Sequence, residues 1–271
     1  MATLIATDRD ALLRAICLDP ADDAPRLLYA DACREAGDED RADFIECQVE
    51  LARTLPTFDR DESYSQVDNP RFIALQERER ELAWVRRQIL NELPWTGLDW
   101  MPEHMLKEDP QLTNPVAVVR RGWVERVAAP LGVLFGAECE VCEGTGAGAC
   151  PDVAEYIEIP GGCPRCGGEG RTPGVAAALF AAHPITAVTL TDRGPYFVHG
   201  PEEGGMCFWL GAAECRDPFD LPTELVAAIR GRPVNPDDPW DNCLLYDGRE
   251  EAMEALDYGC VRLGRRLAGL E

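Results

Sequence analysis

The sequence predicts an α+β protein, with a helical N-terminal domain over residues 1–94 and a mixed α/β domain over residues 95–271. Apolar residues recur at the three- and four-residue spacing of amphipathic helices throughout the first region. Valine-rich stretches, which are typical of strands, begin only after Trp95. A cysteine- and glycine-rich segment, residues 137–172, interrupts a strand–helix–strand pattern and is therefore predicted to be an inserted module.

Four helices are predicted in the N-terminal region. The first begins with a cap at Thr7 and ends before Pro20, which cannot continue a helix. The second lies between Pro25, which suits a first turn, and Gly37, which suits the position after a last turn. A third helix follows. After a predicted loop over residues 56–69, one long helix with an apolar face completes the region.

The C-terminal region alternates strands and helices. Residues 116–130 predict one strand, or two strands around Gly122, and residues 185–192 predict a buried strand that follows a short helix. Further strands are predicted within residues 204–211 and 242–248, with a helix between them. The last predicted helix carries an apolar seam at spacings of three and four, formed by Met253, Leu256, Cys260, Leu263 and Leu267.

The composition narrows the possible function classes. The chain carries a formal net charge of −23, so it repels phosphate backbones and anionic membranes at long range. No window offers the roughly 20 consecutive apolar residues that a membrane span requires. The N-terminus lacks a basic stretch followed by an apolar one, so no secretion signal is predicted. We therefore expect a cytoplasmic protein that binds no membrane and for which nucleic acid is an unfavourable partner.

The inserted segment contains two C-x-x-C pairs, Cys139–Cys142 and Cys163–Cys166, each within the pattern C-x-x-C-x-G-x-G. The pairs are separated by twenty residues and offer four thiolates to one tetrahedral site, the usual geometry of structural zinc. The glycines permit tight turns that aim backbone N–H groups at the sulfurs. A redox pair and, in an exported protein, disulfides are the alternatives. Four thiolates leave no open position, so we predict one structural zinc ion rather than a catalytic one.

The repeats C-E-G-T-G and C-G-G-E-G resemble the cysteine-rich zinc region of the DnaJ co-chaperones. Members of that family carry four such repeats and bind two zinc ions, so the two repeats of this chain imply one ion. Cys150 is a spare thiol that could replace a ligand. A J-domain requires His-Pro-Asp, but the His-Pro of this chain, at residues 183–184, is followed by Ile185. The resemblance therefore implies the metal fold and not the co-chaperone activity.

Two further motifs lie near the N-terminus: D-P-x-D-D-x-P-R-L-x-Y-A-D at residues 19–31 and R-A-x-F-I-x-x-Q at residues 41–48. They resemble a bacterial repeat-companion domain, which commonly precedes leucine-rich-repeat-like segments. That family usually has a tryptophan after Y-A-D, where this chain has Ala32. Downstream, the pattern I-x-x-V-x-L at residues 185–190 resembles a leucine-rich-repeat strand, although no regular repeat period is present. The resemblance implies a degenerate leucine-rich-repeat-like second domain, and the family has no activity that could be carried over to this chain.

Other candidate residues have simpler structural explanations. His183 follows an apolar helix and is expected to be a helix-terminal or core residue, and His199 is expected in a loop. The aspartates within residues 19–23 and 38–40 lack the spacing of a calcium-binding loop, so we expect them to cap helices and turns. Two arginine clusters could suggest a nucleic-acid surface, but each has a simpler interpretation. The first cluster, near Trp123, is expected to form a solvated face and consists of Arg120, Arg121 and Arg126. The second, near the C-terminus, is expected to supply helix-end cations and consists of Arg262, Arg265 and Arg266.

Taken together, these observations predict a non-enzymatic zinc-binding adaptor that contacts another protein. The sequence contains no H-E-x-x-H, G-x-S-x-G or Walker motif. One alternative is a nucleic-acid-binding zinc protein, for which Arg165 and Arg171 lie beside the cysteine pairs. The other is an enzyme with a Cys–His centre, whose members meet only in space and leave no sequence spacing to detect.

Overall fold

A computed structural model describes residues 2–59, 66–94, 116–136, 169, 173–191, 197–199, 208–210, 221, 223–235, 244–246 and 249–271. Helices and short strands are mixed along these residues, which confirms the predicted α+β class. The strands form one two-stranded and two three-stranded sheets. None of the helices in the described ranges has the length and hydropathy needed to span a bilayer.

The first three helices are α1 (Ala2–Leu18), α2 (Ala24–Glu35) and α3 (Glu39–Arg53). Gly37 makes the tight connection between α2 and α3 possible, because its φ of +84° is a conformation that a side chain would strain. The N–H groups of Gly37 and Asp38 donate to the carbonyls of Arg34 and Cys33 at 3.0 and 2.9 Å, which is a Schellman motif. The helix end predicted at Gly37 is confirmed, whereas α1 begins earlier than the cap predicted at Thr7.

The next elements are β1 (Thr57–Asp59), β2 (Gln66–Asp68), α4 (Pro70–Glu81) and α5 (Ala83–Asn91). β1 and β2 pair antiparallel, so the prediction of a loop over residues 56–69 is wrong. Strands of three residues are too short for alternation to reveal them in a polar stretch. The long helix predicted after this segment is interrupted at Leu82. Asn69 caps α4, since its side chain accepts the Arg71 N–H at 3.0 Å.

The central sheet contains β3 (Val116–Arg120), β4 (Trp123–Ala129) and β5 (Ala187–Leu190) in the order β3–β4–β5. A two-residue turn, Arg121–Gly122, joins β3 to β4, and its φ angles of 47° and 87° are those of a type I′ hairpin turn. The pairing shifts between Val118 and Val119, which leaves Glu125 as an extra residue in β4. The predictions of two strands around Gly122 and of a later buried strand are confirmed.

β5 pairs parallel with β4, and parallel neighbours require a crossover connection. Two short helices lie in this crossover: α6 (Leu131–Phe135) and α7 (Ala176–Ala182). The cysteine-rich segment lies between them in sequence. In the described residues, β4 and α6 come before the insertion, and α7 and β5 follow it. This order agrees with the strand–helix–strand pattern that the sequence predicts.

The remaining elements are β6 (Phe197–His199), β7 (Phe208–Leu210), α8 (Thr223–Arg230), β8 (Leu244–Tyr246) and α9 (Arg249–Leu267). β6, β7 and β8 form the second three-stranded sheet, which is antiparallel. The sequence did not predict β6, and His199, which was expected in a loop, lies in this strand opposite Phe208. Helix α9 packs against α8, α7 and β5.

The predicted apolar seam of α9 is confirmed in its middle and wrong at its end. Leu256 and Leu263 are buried, but Leu267 is 51% exposed. After α9 the chain reverses at Gly269, which has a φ of +66°, and Leu270 is buried instead. Helical spacing therefore does not predict which residue is buried at the point where the helix ends.

A hydrophobic core connects the two predicted domains. Phe44 of α3 is buried in the same cluster as Val124 of β4 and Leu256 of α9. A second cluster brings Ile45 of α3 against Trp123 of β4. Both predicted domains therefore contribute described residues to one core, and the division at residue 94 stays a prediction.

Candidate functional site

Five cysteines of the inserted segment lie outside the described residues: the predicted zinc ligands Cys139, Cys142, Cys163 and Cys166, and the spare Cys150. The structure does describe the two points at which this segment leaves and re-enters the fold. The chain leaves at Gly136, directly after α6, and returns at Gly174, just before α7. We call residues 133–136 together with residues 174–175 the neck.

The two sides of the neck are in contact. The Val175 N–H donates to the Val133 carbonyl at 3.1 Å. A Cβ atom built on Gly174 would lie 2.3 Å from the Leu134 carbonyl oxygen and 2.5 Å from the Gly136 nitrogen, so a side chain here would force the two strands of the neck apart. The inserted segment therefore begins and ends at one place on the protein body.

Within the described ranges, no group of three or more His, Cys, Asp or Glu side chains is placed to hold a metal ion. The aspartates weighed as calcium ligands act as caps. The Asp38 side chain accepts the Arg41 N–H at the start of α3, and the Asp22 side chain accepts the Ala24 N–H at 2.9 Å before α2. The prediction that these residues cap helices and turns is confirmed for both.

Four cysteines outside the insert are buried and form no disulfide: Cys17, Cys33, Cys47 and Cys260. Burial raises the pKa of the Cys17 thiol to about 11, and burial also raises the pKa values of Cys33 and Cys47. Arg9 lies 2.8 Å from the Cys33 sulfur, but its charge does not outweigh the effect of burial. Thiols with raised pKa values are poor nucleophiles. These four buried cysteines therefore act as small apolar core residues.

His183 ends α7 and is buried, as the sequence predicts. Burial and, to a smaller extent, the nearby charge of Arg41 lower the pKa of its imidazole to about 4. Its Nδ1 has no hydrogen-bond partner among the described residues. A general base that works near neutral pH needs a pKa close to that pH, so His183 has the properties of a core residue. His104 lies outside the described residues.

The most polar feature of the described core lies where α2 meets β4. The Arg26 side chain is fully buried, and its Nη2 donates to Glu125 Oε1 at 2.7 Å. Arg121 donates to both oxygens of the same carboxylate, at 2.8 and 3.0 Å. The Trp123 ring faces the Arg26 guanidinium at 5.7 Å. We call Arg26, Arg121, Trp123 and Glu125 the buried junction.

The buried junction was not predicted, although one signal for it is present in α2. Arg26 lies on the same helical stripe as Ala30 and Cys33, and all three residues are buried. A cation on an apolar stripe requires a buried partner, but the sequence does not say which carboxylate supplies it. The expectation of a solvated basic face is wrong at Arg121, whose side chain is 19% exposed and ion-paired. Bonds to Glu125 outweigh burial there, so the pKa of Arg121 is raised.

The C-terminal arginines join two helices that are distant in sequence. Arg265 donates from Nη1 and Nη2 to the carbonyls of Cys17 and Leu18, at 3.0 and 3.1 Å, and thus caps the end of α1. Arg14 of α1 donates to the Gly269 carbonyl beyond α9 at 3.0 Å. We call Arg14 and Arg265 the reciprocal caps. The predicted helix-end role of Arg265 is therefore exerted on the neighbouring helix rather than on its own.

Comparisons of this chain with protein-family models, with curated proteins and with solved structures found no match. The function must therefore be inferred from the residues of the chain itself.

Proposed function

We propose that the protein is a non-enzymatic adaptor in which one structural zinc ion, held by Cys139, Cys142, Cys163 and Cys166, orders a module that contacts another protein. The observation that carries the proposal is the combination of two C-x-x-C-x-G-x-G repeats with a neck whose two sides touch. The described residues on either side of the insert contact each other. Its order then depends on its own cross-links, because the segment offers few large apolar residues for a core of its own.

Binding of zinc is well suited to order the inserted segment. Binding of a structural zinc ion contributes an apparent free energy on the order of 10 kcal/mol, which becomes folding free energy for a small lobe. The residues fit this metal, since four thiolates form the closed donor set of structural zinc sites. The proposed role of the ion is to hold the two hairpin-like repeats together, and the role of the glycines is to turn the chain around the sulfurs.

We propose domain assignments for the rest of the chain from its resemblance to known families. Residues 1–94 form a repeat-companion domain, residues 95–271 form a degenerate leucine-rich-repeat-like part, and residues 137–172 form the insert. The location is cytoplasmic. Both flanking parts are module types associated with protein recognition, which favours an adaptor over a catalyst.

The described polar groups support this choice over the two alternatives. Arg26 and Arg121 of the buried junction both pair with Glu125, and burial raises the pKa values of the Cys17, Cys33 and Cys47 thiols. The six arginines weighed as a nucleic-acid surface all have polar or electrostatic partners within the protein. With a net charge of −23, the chain is also poorly suited to bind phosphate backbones.

The test is an affinity capture from the native host with tagged wild-type protein and a Cys163→Ser/Cys166→Ser variant, followed by mass spectrometry. We expect the wild type to enrich a discrete protein partner that the variant loses. Recovery of the same partners by both proteins would contradict a role of the metal module in contact. Enrichment of nucleic acid that disappears with added salt and depends on Arg165 and Arg171 would favour the nucleic-acid alternative.

A matched deletion separates the module from the body. Replacement of residues 137–173 by about five Gly and Ser residues is within the normal length of a short connection. Because the neck already holds its two sides together, we expect the shortened protein to keep its far-ultraviolet circular dichroism per body residue and to lose the partner. A shortened protein that does not fold would show that the insert is part of the body.

A further inference from the structure

An exposed row of side chains follows the outer face of α4 and α5. Ile73 and Trp84 are large apolar residues that are 40% and 41% exposed. Arg80 and Arg87 are exposed as well. In chain order these four residues are separated by seven, four and three positions, which is the spacing of one helical face. We call them the outer stripe.

The interruption at Leu82 leaves this face continuous. Leu82 has φ and ψ angles of −91° and 12°, and its carbonyl accepts the Val85 N–H at 2.9 Å, so the chain continues to turn in the helical sense. The buried residues of the two helices show the same continuity, since they are separated by seven, three and four positions: Leu75, Leu82, Val85 and Ile89.

The two arginines of the outer stripe differ from the other arginines whose side chains are described. Those others have hydrogen-bonding or charged partners, as Arg71 has in Glu50. Within the described ranges, neither Arg80 nor Arg87 forms a hydrogen bond or an ion pair. Glu77 is exposed one turn before Arg80 and is not paired with it. In a chain whose net charge is −23, two such cations beside an exposed tryptophan form a local site for an acidic group.

The composition of the outer stripe is typical of a protein-binding surface. Trp84 follows Arg80 by four positions and precedes Arg87 by three, so both arginine positions neighbour the tryptophan on the helix surface. Tryptophan and arginine are enriched among the residues that contribute most of the binding energy at protein interfaces. From its first residue to its last, the stripe is about 21 Å long, which is the length of a helix of about four turns.

We propose that the outer stripe binds an amphipathic helix of a partner protein whose apolar seam is flanked by acidic residues. The seam would pack on Ile73 and Trp84, and the flanking carboxylates would pair with Arg80 and Arg87. A helical partner fits better than an extended one, because spacings of three, four and seven match the seam of a second helix, whereas a strand repeats every two residues. The net charge of the chain disfavours a phosphate backbone as the occupant.

This site is separate from the proposed metal module. The outer stripe lies on α4 and α5 and contains no cysteine, whereas the neck lies between α6 and α7. The Cys163→Ser/Cys166→Ser variant should therefore bind the helical partner as the wild type does, so loss of zinc and loss of this site are distinguishable.

The test uses the full chain and a fluorescein-labelled peptide of about 21 residues that repeats the heptad Leu-Ala-Ala-Leu-Glu-Ala-Glu, titrated by fluorescence anisotropy. Repulsion between the glutamates beside the leucine seam keeps the peptide from pairing with itself. We expect saturable binding that becomes at least about tenfold weaker when lysine replaces glutamate, and also when a central proline interrupts the helix. No saturable binding up to about 1 mM, or equal binding of the acidic and lysine peptides, would overturn the proposal. Preference for a single-stranded oligonucleotide or for phosphatidylserine vesicles over the acidic peptide would overturn it as well.

Substitutions in the outer stripe have matched controls elsewhere on the surface. Arg87→Glu should weaken binding of the acidic peptide about tenfold, whereas Arg232→Glu, at an exposed position after α8, should change affinity less than about twofold. Trp84→Ala should also weaken binding about tenfold, whereas Tyr258→Ala, at an exposed aromatic residue of α9, should change affinity less than about twofold. Circular dichroism establishes that each variant is folded. Unchanged affinity in folded Arg87→Glu and Trp84→Ala variants would contradict binding at this surface.

Discussion

Two of the polar contacts that join the N-terminal helices to the rest of the described protein differ in burial. The buried junction places the fully buried Arg26 against Glu125, 2.7 Å apart, beneath Trp123. The reciprocal caps, Arg14 and Arg265, bind neutral backbone carbonyls at helix ends near the surface. The first contact joins α2 to the central sheet, and the second joins α1 to α9.

The two contacts differ in the state of the remaining group when one partner is removed. A buried ion pair requires both charges to lose their hydration, so its net contribution is small, but loss of one member leaves the other charge buried without compensation. A guanidinium on partly exposed carbonyls adds about 1 kcal/mol, and water can replace it when it is removed. The two contacts should therefore respond very differently to substitutions of the same kind.

The largest effect is expected at the buried junction. Arg26→Met should lower the free energy of unfolding by about 3 kcal/mol or more, because Glu125 loses one of its two cationic partners in a buried site. Adding Glu125→Gln should recover at least about 1 kcal/mol, since the neutral amide no longer needs Arg26. Urea unfolding of both variants measures this, and additive losses in the double variant would show that the pair is not coupled.

A pH-dependent effect of similar size is expected at His183, which ends α7. The pKa of His183 is about 4 in the folded protein and about 6.5 in the unfolded chain, so the unfolded chain binds the proton first as the pH falls. Stability from the neutral imidazole is complete above pH 6.5 and is lost towards pH 4, by about 3 kcal/mol.

His183→Gln provides the control for this pH effect, because carboxylates titrate in the same range and affect both proteins. The difference in unfolding free energy between wild type and His183→Gln should change with pH only between about 4 and 6.5. If this difference is the same at pH 7 and pH 4.5, then His183 is not a buried neutral group.

The smallest effect is expected at the reciprocal caps. Arg265→Ala removes two hydrogen bonds to the last carbonyls of α1 and should lower the free energy of unfolding by about 0.5–1.5 kcal/mol. Arg265→Lys should restore part of this loss, since an ammonium still favours a helix C-terminus. A loss as large as that of Arg26→Met would remove the distinction between the two contacts.

Local signals made much of the fold predictable from sequence. Pro25 and Gly37 fixed α2 because they act through their own backbone geometry, and Gly122 marked the turn between β3 and β4 for the same reason. The insertion between two halves of a strand–helix–strand unit was also visible, since cysteine spacing and glycine content change abruptly at residues 137–172. The contact that closes the neck agrees with this division.

What sequence reasoning missed depends on distance along the chain or on short length. Arg26 and Glu125 are 99 residues apart, and no local pattern pairs them. β6 has only three residues, too few for a period to be recognised. The metal ligands were predicted from their spacing alone and stay a prediction.

The most direct test of the central claim is the zinc content of the purified full chain, measured by elemental analysis against protein concentration. We predict one zinc ion per chain in the wild type and none in the Cys163→Ser/Cys166→Ser variant, with loss of zinc on chelation increasing protease cleavage within residues 137–172. A zinc-free wild type whose cleavage pattern is unchanged by chelator, or a variant that retains its zinc, would contradict the account.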